Sequence, residues 1–147
     1  MKIAFGCDHA GYSLKEEVFD YLNKKGYEII DCGTDSYDSV DYPVYGEAAA
    51  RKVASGEADF GIVICGTGIG ISLAANKVKG IRCALLSDTF SAKATRQHND
   101  ANMMALGSRV IGPGLAIEII DAFLSTPFSQ AQRHQKRIDM LMDIENR

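Results

Sequence analysis

Residues 60–76 read FGIVICGTGIGISLAAN. An apolar run ends in a cysteine, passes through glycines at alternating positions, and enters a short alanine-rich stretch. A continuously apolar strand is the pattern expected when both faces of a sheet are covered. A glycine turn leading from such a strand into a helix is the joint of a βαβ unit. The stretch predicts a buried strand over 59–65 and a helix over 70–78.

The same alternation extends in both directions. KIAFGC (2–7), YEIIDCG (27–33), IRCALLS (81–87) and MMALG (103–107) are short, apolar and strand-like. Between them lie amphipathic runs. In residues 12–26, Leu14, Val18, Tyr21 and Leu22 share one helical face and Gly26 stops the helix. Helices are also expected over 44–56, 89–99 and 114–125, with a final one over 129–147. Strand and helix alternate throughout, with no linker, repeat or low-complexity segment. The fold expectation is a single α/β domain over 1–147, a Rossmann-like three-layer sandwich with a five-stranded parallel sheet and an extra C-terminal helix. Ligands of such sheets bind outside the carboxyl ends of the strands. That directs attention to Asp8-His9, Gly33-Thr34, Cys65 to Gly70, Ser87-Asp88 and Gly107 to Arg109.

The last helix is divided. QAQRHQKR is polar on every face, whereas Ile138, Leu141, Met142 and Ile144 form a stripe. It reads either as an arm packing on another subunit or as a helix lying back on its own sheet.

The 147 residues suffice for one domain with a real core. A net charge of −3 points to neither a nucleic-acid nor a membrane surface. No apolar run approaches the roughly 20 residues of a membrane span. The start, MKIAFGCDHAG, turns to Gly, Asp and His too soon for a signal peptide. The expected location is therefore cytoplasmic. Cys7, Cys32, Cys65 and Cys83 form no CxxC pair and have no histidine at zinc spacing. All four are expected to be free thiols, and Cys7, Cys32 and Cys83 to serve as small buried apolar groups.

The glycine turn has three readings. A dinucleotide fingerprint needs GxGxxG, but Gly66, Gly68 and Gly70 give GxGxG, with Ile71 in the place of the third glycine. Asp88, after the next strand, would be the ribose-binding acid. A plain tight turn would need no particular residue at 65 or 67. An anion hole would use successive N–H groups at a helix N-terminus to hold a phosphate or a developing oxyanion. A thiol beside such donors is favoured as its thiolate. That places a base or nucleophile, Cys65, next to an oxyanion stabiliser, with the Thr67 hydroxyl as a further donor.

Other candidates lie along the chain. Asp8-His9 could move protons, or Asp8 could simply cap a helix. His98-Asn99 ends a helix, where a histidine also suits the helix dipole. Arg133 and Arg137 are one turn apart, so two guanidinium forks share a face beside His134. Such a pair fits a phosphate, or it is a solvated charged surface. Arg109 is a third possible phosphate ligand. No cluster has metal-ligand spacing and no cofactor motif survives, so the expected site uses neither metal nor cofactor. A site that binds phosphate and removes a carbon-bound proton suits sugar-phosphate isomerisation. A nucleotide-binding module and a sugar-phosphate sensor are the competing classes.

CDHAG (7–11), VDYP (40–43), CGTGIGISLAANKV (65–78), HNDANMMALGSRV (98–110) and the arginines at 133 and 137 resemble the ribose-5-phosphate isomerase B family. The resemblance runs through the whole chain in order. It implies interconversion of ribose 5-phosphate and ribulose 5-phosphate through a cis-enediolate, without metal. It also implies a homodimer or a dimer of dimers whose sites are built from both subunits. By resemblance, Cys65 is the base that moves the proton between C2 and C1. Thr67 and the backbone from Gly66 to Gly70 hold the enediolate oxygens. Asp8, His9 and His98 handle ring opening and substrate hydroxyls, with Tyr42 and Asn99 nearby. Arg133 and Arg137 hold the phosphate, with Arg109 and His9 as helpers. One branch of the family carries a Glu after the glycine turn in place of the cysteine. Ile71 stands there, so the chain resembles the cysteine branch. Val44 departs from the DYPD of many members, a variation at a helix start. Galactose-6-phosphate isomerase subunits are similar through strand four but typically lack a histidine matching His98. Six-carbon aldose phosphates such as allose 6-phosphate remain open as substrates.

Overall fold

The computed structural model describes all residues, 1–147. In chain order the elements are β1 (Lys2–Cys7), α1 (Lys15–Lys24), β2 (Glu28–Asp31), α2 (Tyr42–Ala54), β3 (Phe60–Cys65), α3 (Ile69–Asn76), β4 (Cys83–Leu85), α4 (Thr89–Asn99), β5 (Met103–Gly107), α5 (Pro113–Ser125) and α6 (Gln132–Asp143). The five strands form one parallel sheet in the order β2-β1-β3-β5-β4.

Alternation along each strand sorts side chains to two cores. Ile3, Phe5, Ile62, Ile64, Met104 and Leu106 face one layer with α1, α4 and α5. Ala4, Val63, Cys65, Met103 and Ala105 face the other with α2 and α3. Each large aliphatic group buried here contributes about 1.5–3 kcal/mol. The expected three-layer sandwich is therefore present.

Boundaries differ from expectation where tertiary context intervenes. The segment over 81–87 is a strand only at Cys83–Leu85, because β4 is a sheet edge with one partner. The helix expected from residue 44 starts at Tyr42, with Pro43 in its first turn, where its missing N–H costs nothing. The run from 12 opens as a 3₁₀ turn, Gly11–Leu14, before α1.

The C-terminal helix is shorter than 129–147. Residues 126–131 form an irregular strap with Gln130 at φ +63°, and α6 ends in a 3₁₀ turn at Ile144–Asn146. Within its own chain this helix does not lie back on the sheet, one of the two sequence readings. It lies on α4 of its own chain, as an outer layer rather than on the sheet. His134 and Ile138 are buried there, while Met140, Leu141 and Ile144 stay exposed. No helix is long and apolar enough to cross a membrane.

Candidate active site

The sheet order reverses direction between β1 and β3. From β1 the chain moves outward to β2, and from β3 it moves the other way to β4 and β5. The crevice at the carboxyl ends of these strands is the ligand position of open α/β sheets. Cys7 pairs with Ile64 in register, so Asp8 follows β1 beside Cys65, and the Asp8 N–H donates to the Ile64 carbonyl at 3.3 Å.

Cys65 is buried, and its Sγ accepts the Gly68 N–H at 3.1 Å. Gly68 caps α3 with φ +78°, the left-handed region, which bends the chain so that this N–H reaches back to sulfur. Thr67 Oγ1 accepts the Ile69 N–H at 3.1 Å, which leaves its own proton free to donate. The N–H groups of Gly66, Thr67, Gly70 and Ile71 find no acceptor within the chain. The turn therefore offers one thiol, one hydroxyl and a set of open backbone donors.

Three further segments close around it. The Tyr42 ring lies on Gly70, where a Cβ would stand 2.6 Å from its Cζ. The Arg109 guanidinium lies on Gly66, and the Arg109 N–H donates to the Gly66 carbonyl at 3.0 Å. Asp8 is buried, and its Oδ1 accepts the N–H groups of Ala10 (3.0 Å) and Gly11 (2.9 Å). The capping alternative for Asp8 is thus present in the structure, and one carboxylate oxygen is committed to it. His9 Nδ1 accepts the Val40 N–H at 3.2 Å. Ser108, within the Gly107 to Arg109 stretch but given no role of its own by the sequence, donates its hydroxyl to the Ala10 carbonyl at 2.8 Å and ties the β5 loop to the His9 turn. A small polar residue after a strand carries too little signal to be singled out.

The dinucleotide reading is corrected by this geometry. Asp88 caps α4, its Oδ1 accepting the Ser91 N–H at 2.6 Å, which holds its carboxyl below the usual range. β5 lies between β3 and β4, so the strand leading to Asp88 does not pair with the strand leading to the glycine turn, although its Leu85 side chain reaches Gly68. Ile71 is fully buried and packs against Gly46 of α2, as the side chain of a core residue.

His98, Asn99, Arg133 and Arg137 form a second cluster. They line a cleft of about 390 Å³ with His134, Ile138 and Leu141. The His98 and His134 rings are 4.5 Å apart, and Ser129 Oγ lies 2.7 Å from His134 Nδ1. Burial, then the Arg133, His98 and Arg137 charges, hold the His134 imidazole below its usual range. Arg82 donates to the carbonyls of Asn99 (2.9 Å) and Asp100 (2.8 Å), and Arg96 to that of Ala101 (2.6 Å), which fixes the end of α4.

The chain does not unite the two clusters. α4 begins beyond the carboxyl end of β4 and runs back to the start of β5, so His98 lies at the amino edge of the sheet. Cys65 pairs with Gly107 at the opposite end of β5. A five-residue strand alone separates those edges by roughly 13 Å.

Of the other thiols, Cys7 is buried as expected, whereas Cys32 and Cys83 are half-buried at the margin of the core. All four cysteines are free. Burial pushes the Cys7 and Cys83 thiols up to about 12 and raises that of Cys32.

The family model for Ribose/Galactose Isomerase matches residues 3–141. The chain is 55% identical to YwlF of Bacillus subtilis (strain 168), over 100% of this chain and 99% of that protein. It is 51% identical to ribose-5-phosphate isomerase B of Escherichia coli (strain K12), over 99% of this chain and 97% of that protein. The structure of Clostridium thermocellum ribose-5-phosphate isomerase B superposes with a TM-score of 0.97 at 53% identity, covering 99% of this chain and 98% of that one. With its glycine turn at the switch point and a match along nearly its whole length, the chain belongs to the ribose/galactose isomerase family.

Proposed function

We propose that this protein interconverts ribose 5-phosphate and ribulose 5-phosphate through a cis-enediolate. The observation that carries the reading is the Cys65 thiol, set on a turn of open N–H donors beside Asp8, His9 and Tyr42. Cys65 takes the proton from C2 and returns it to C1. Thr67 and the backbone from Gly66 to Gly70 hold the oxygens on which charge develops, and donors at that place are worth several kcal/mol in such reactions. Asp8 holds the turn that carries His9, and its second oxygen meets a substrate hydroxyl.

The remaining residues belong to the partner's half of each site. His98, with Asn99, assists ring opening, and Arg133 and Arg137 clamp the phosphate, helped by Arg109 and His9. Their position at the far edge of the sheet supports a site shared between two copies. Exposed Ile69 and Leu73 on α3, with Leu85 on β4 and Phe90 at the start of α4, give a second copy apolar surface to cover. A homodimer, alone or paired into a dimer of dimers, is the assembly proposed, working in the cytoplasm on a sugar phosphate.

The test is ribulose 5-phosphate formation from ribose 5-phosphate with EDTA present, wild type beside Cys65→Ala. Loss of a positioned base costs about 10²–10⁴-fold in rate. Turnover by wild type and a loss of that size in the folded variant support the reading. Turnover on six-carbon aldose phosphates alone keeps the chemistry and moves the substrate. A variant with wild-type kcat removes Cys65 as the base.

A further inference from the structure

The loop between β2 and α2, residues 32–41, covers the His9 turn, and one buried cation ties it down. Lys15 is 7% exposed. All three of its N–H bonds are used, on Asp31 Oδ2 at 2.8 Å, the Thr34 carbonyl at 2.9 Å and Asp35 Oδ1 at 2.7 Å. Burial alone would lower an ammonium's pKa. The bonds to Asp31 and Asp35 outweigh it, so the net shift is upward and the charge is secure. Tyr12, one turn before Lys15, stacks edge-on against Tyr37 of the loop at 4.8 Å. Beyond Tyr37, the loop's remaining tie to the site is the Val40 N–H on His9 Nδ1.

That last bond has a chemical consequence. A backbone N–H can only donate, so Nδ1 of His9 is the accepting nitrogen. The neutral ring then carries its proton on Nε2. His9 therefore presents a hydrogen-bond donor rather than a base.

We infer that Lys15 is a positioning residue, whose ion cluster with Asp31 and Asp35 holds the 32–41 loop so that Val40 fixes His9 as the Nε2–H tautomer. Lys15 touches no substrate in this arrangement and acts through the loop. Without the ammonium, Asp31 and the exposed Asp35 lose their shared cation and the Thr34 carbonyl its donor, while the loop keeps the Thr34 N–H bond to the Cys7 carbonyl at 3.0 Å and the Tyr12–Tyr37 contact. The inference rests on the proposed function only in placing His9 at the substrate.

The test reads the tautomer directly. The chain has three histidines, so nitrogen-15 NMR of the imidazoles resolves His9. In wild type, His9 is expected as a single Nε2–H form. In Lys15→Met it becomes a mixture, and kcat/KM falls on the order of tenfold to a hundredfold, as for a catalytic group displaced by about 1 Å. Lys15→Arg restores the tautomer, because a guanidinium can still bridge both carboxylates. A folded Lys15→Met protein with an unchanged His9 signal and kcat/KM within twofold of wild type overturns the inference. Should Lys15→Met fail to fold, Val40→Pro decides. It removes the N–H while leaving the ion cluster in place, and an unchanged His9 signal there overturns the inference equally. Wild type without isomerase activity but with the His9 signal moving in these variants would sink the functional reading and keep the positioning role.

Discussion

The Tyr42 ring lies against the backbone of Gly70, so close that a Cβ on Gly70 would stand 2.6 Å from Tyr42 Cζ and 2.9 Å from both Cε atoms. This contact joins the first turn of α2 to the first turn of α3 beside the Cys65 thiol. The position tolerates only glycine while the ring stays in place. Gly70→Ala should push Tyr42 aside at a cost of about 1–3 kcal/mol. A drop in kcat/KM on the order of tenfold to a hundredfold should accompany it. Steady-state kinetics and a melting curve check both, and an alanine variant with wild-type kcat/KM would show that Tyr42 does not shape the site.

Gly68 is constrained twice. Its φ of +78° costs a residue with a side chain about 1–2 kcal/mol. A Cβ would also stand 2.6 Å from Leu85 Cδ1 and 2.8 Å from the Leu106 carbonyl carbon, and the latter is backbone that cannot swing away. Gly68→Ala is expected to lose about 2 kcal/mol or more and roughly 5 °C in Tm, read by calorimetry. It should also lose activity, since the same residue aims its N–H at Cys65.

The separation of the two clusters gives a complementation experiment. For the proposed homodimer with shared sites, Cys65→Ala and Arg137→Ala should each be impaired, the second mainly through a raised KM. Unfolded together and refolded as a mixture, they form heterodimers in which one site receives both intact halves. About a quarter of wild-type activity should return, since half of the randomly paired dimers are mixed and carry one whole site. No recovery in a mixture shown by mass to contain heterodimers would mean that each site lies within one chain.

His134 links stability to pH on the acid side. Burial and the neighbouring Arg133, His98 and Arg137 charges hold it below its usual 6.5. The folded chain then binds this proton less readily than the unfolded chain does. The stability that His134 contributes is complete above about pH 6.5 and is lost as pH falls through its lower folded value. His134→Gln should flatten the fall in Tm between about pH 6.5 and 5, measured by scanning calorimetry. An identical slope in the variant would assign the acid sensitivity to other groups.

Much of the fold and half of the site follow from sequence order alone. Five apolar runs alternating with amphipathic ones specify a parallel sheet with two covered faces, because each strand must bury both sides and each crossover helix must bury one. The rule that ligands meet strand carboxyl ends then singles out Asp8, His9, Cys65 to Gly70 and Arg109. These residues follow strands directly, so their position in the chain is also their position in space.

Other features depended on distance through space. The sequence does not reveal that β5 would insert between β3 and β4, so that the strand leading to Asp88 does not pair with the strand leading to the glycine turn. It also leaves the last helix ambiguous, since burial of His134 and Ile138 is decided by the surface of α4. Lys15 is one more lysine in an amphipathic run until Asp31, Thr34 and Asp35 surround it. The identity of the elements comes from local periodicity, which the chain carries residue by residue. Which side chains share a site comes from strand order and helix packing, where residues far apart in the chain compete for the same contacts.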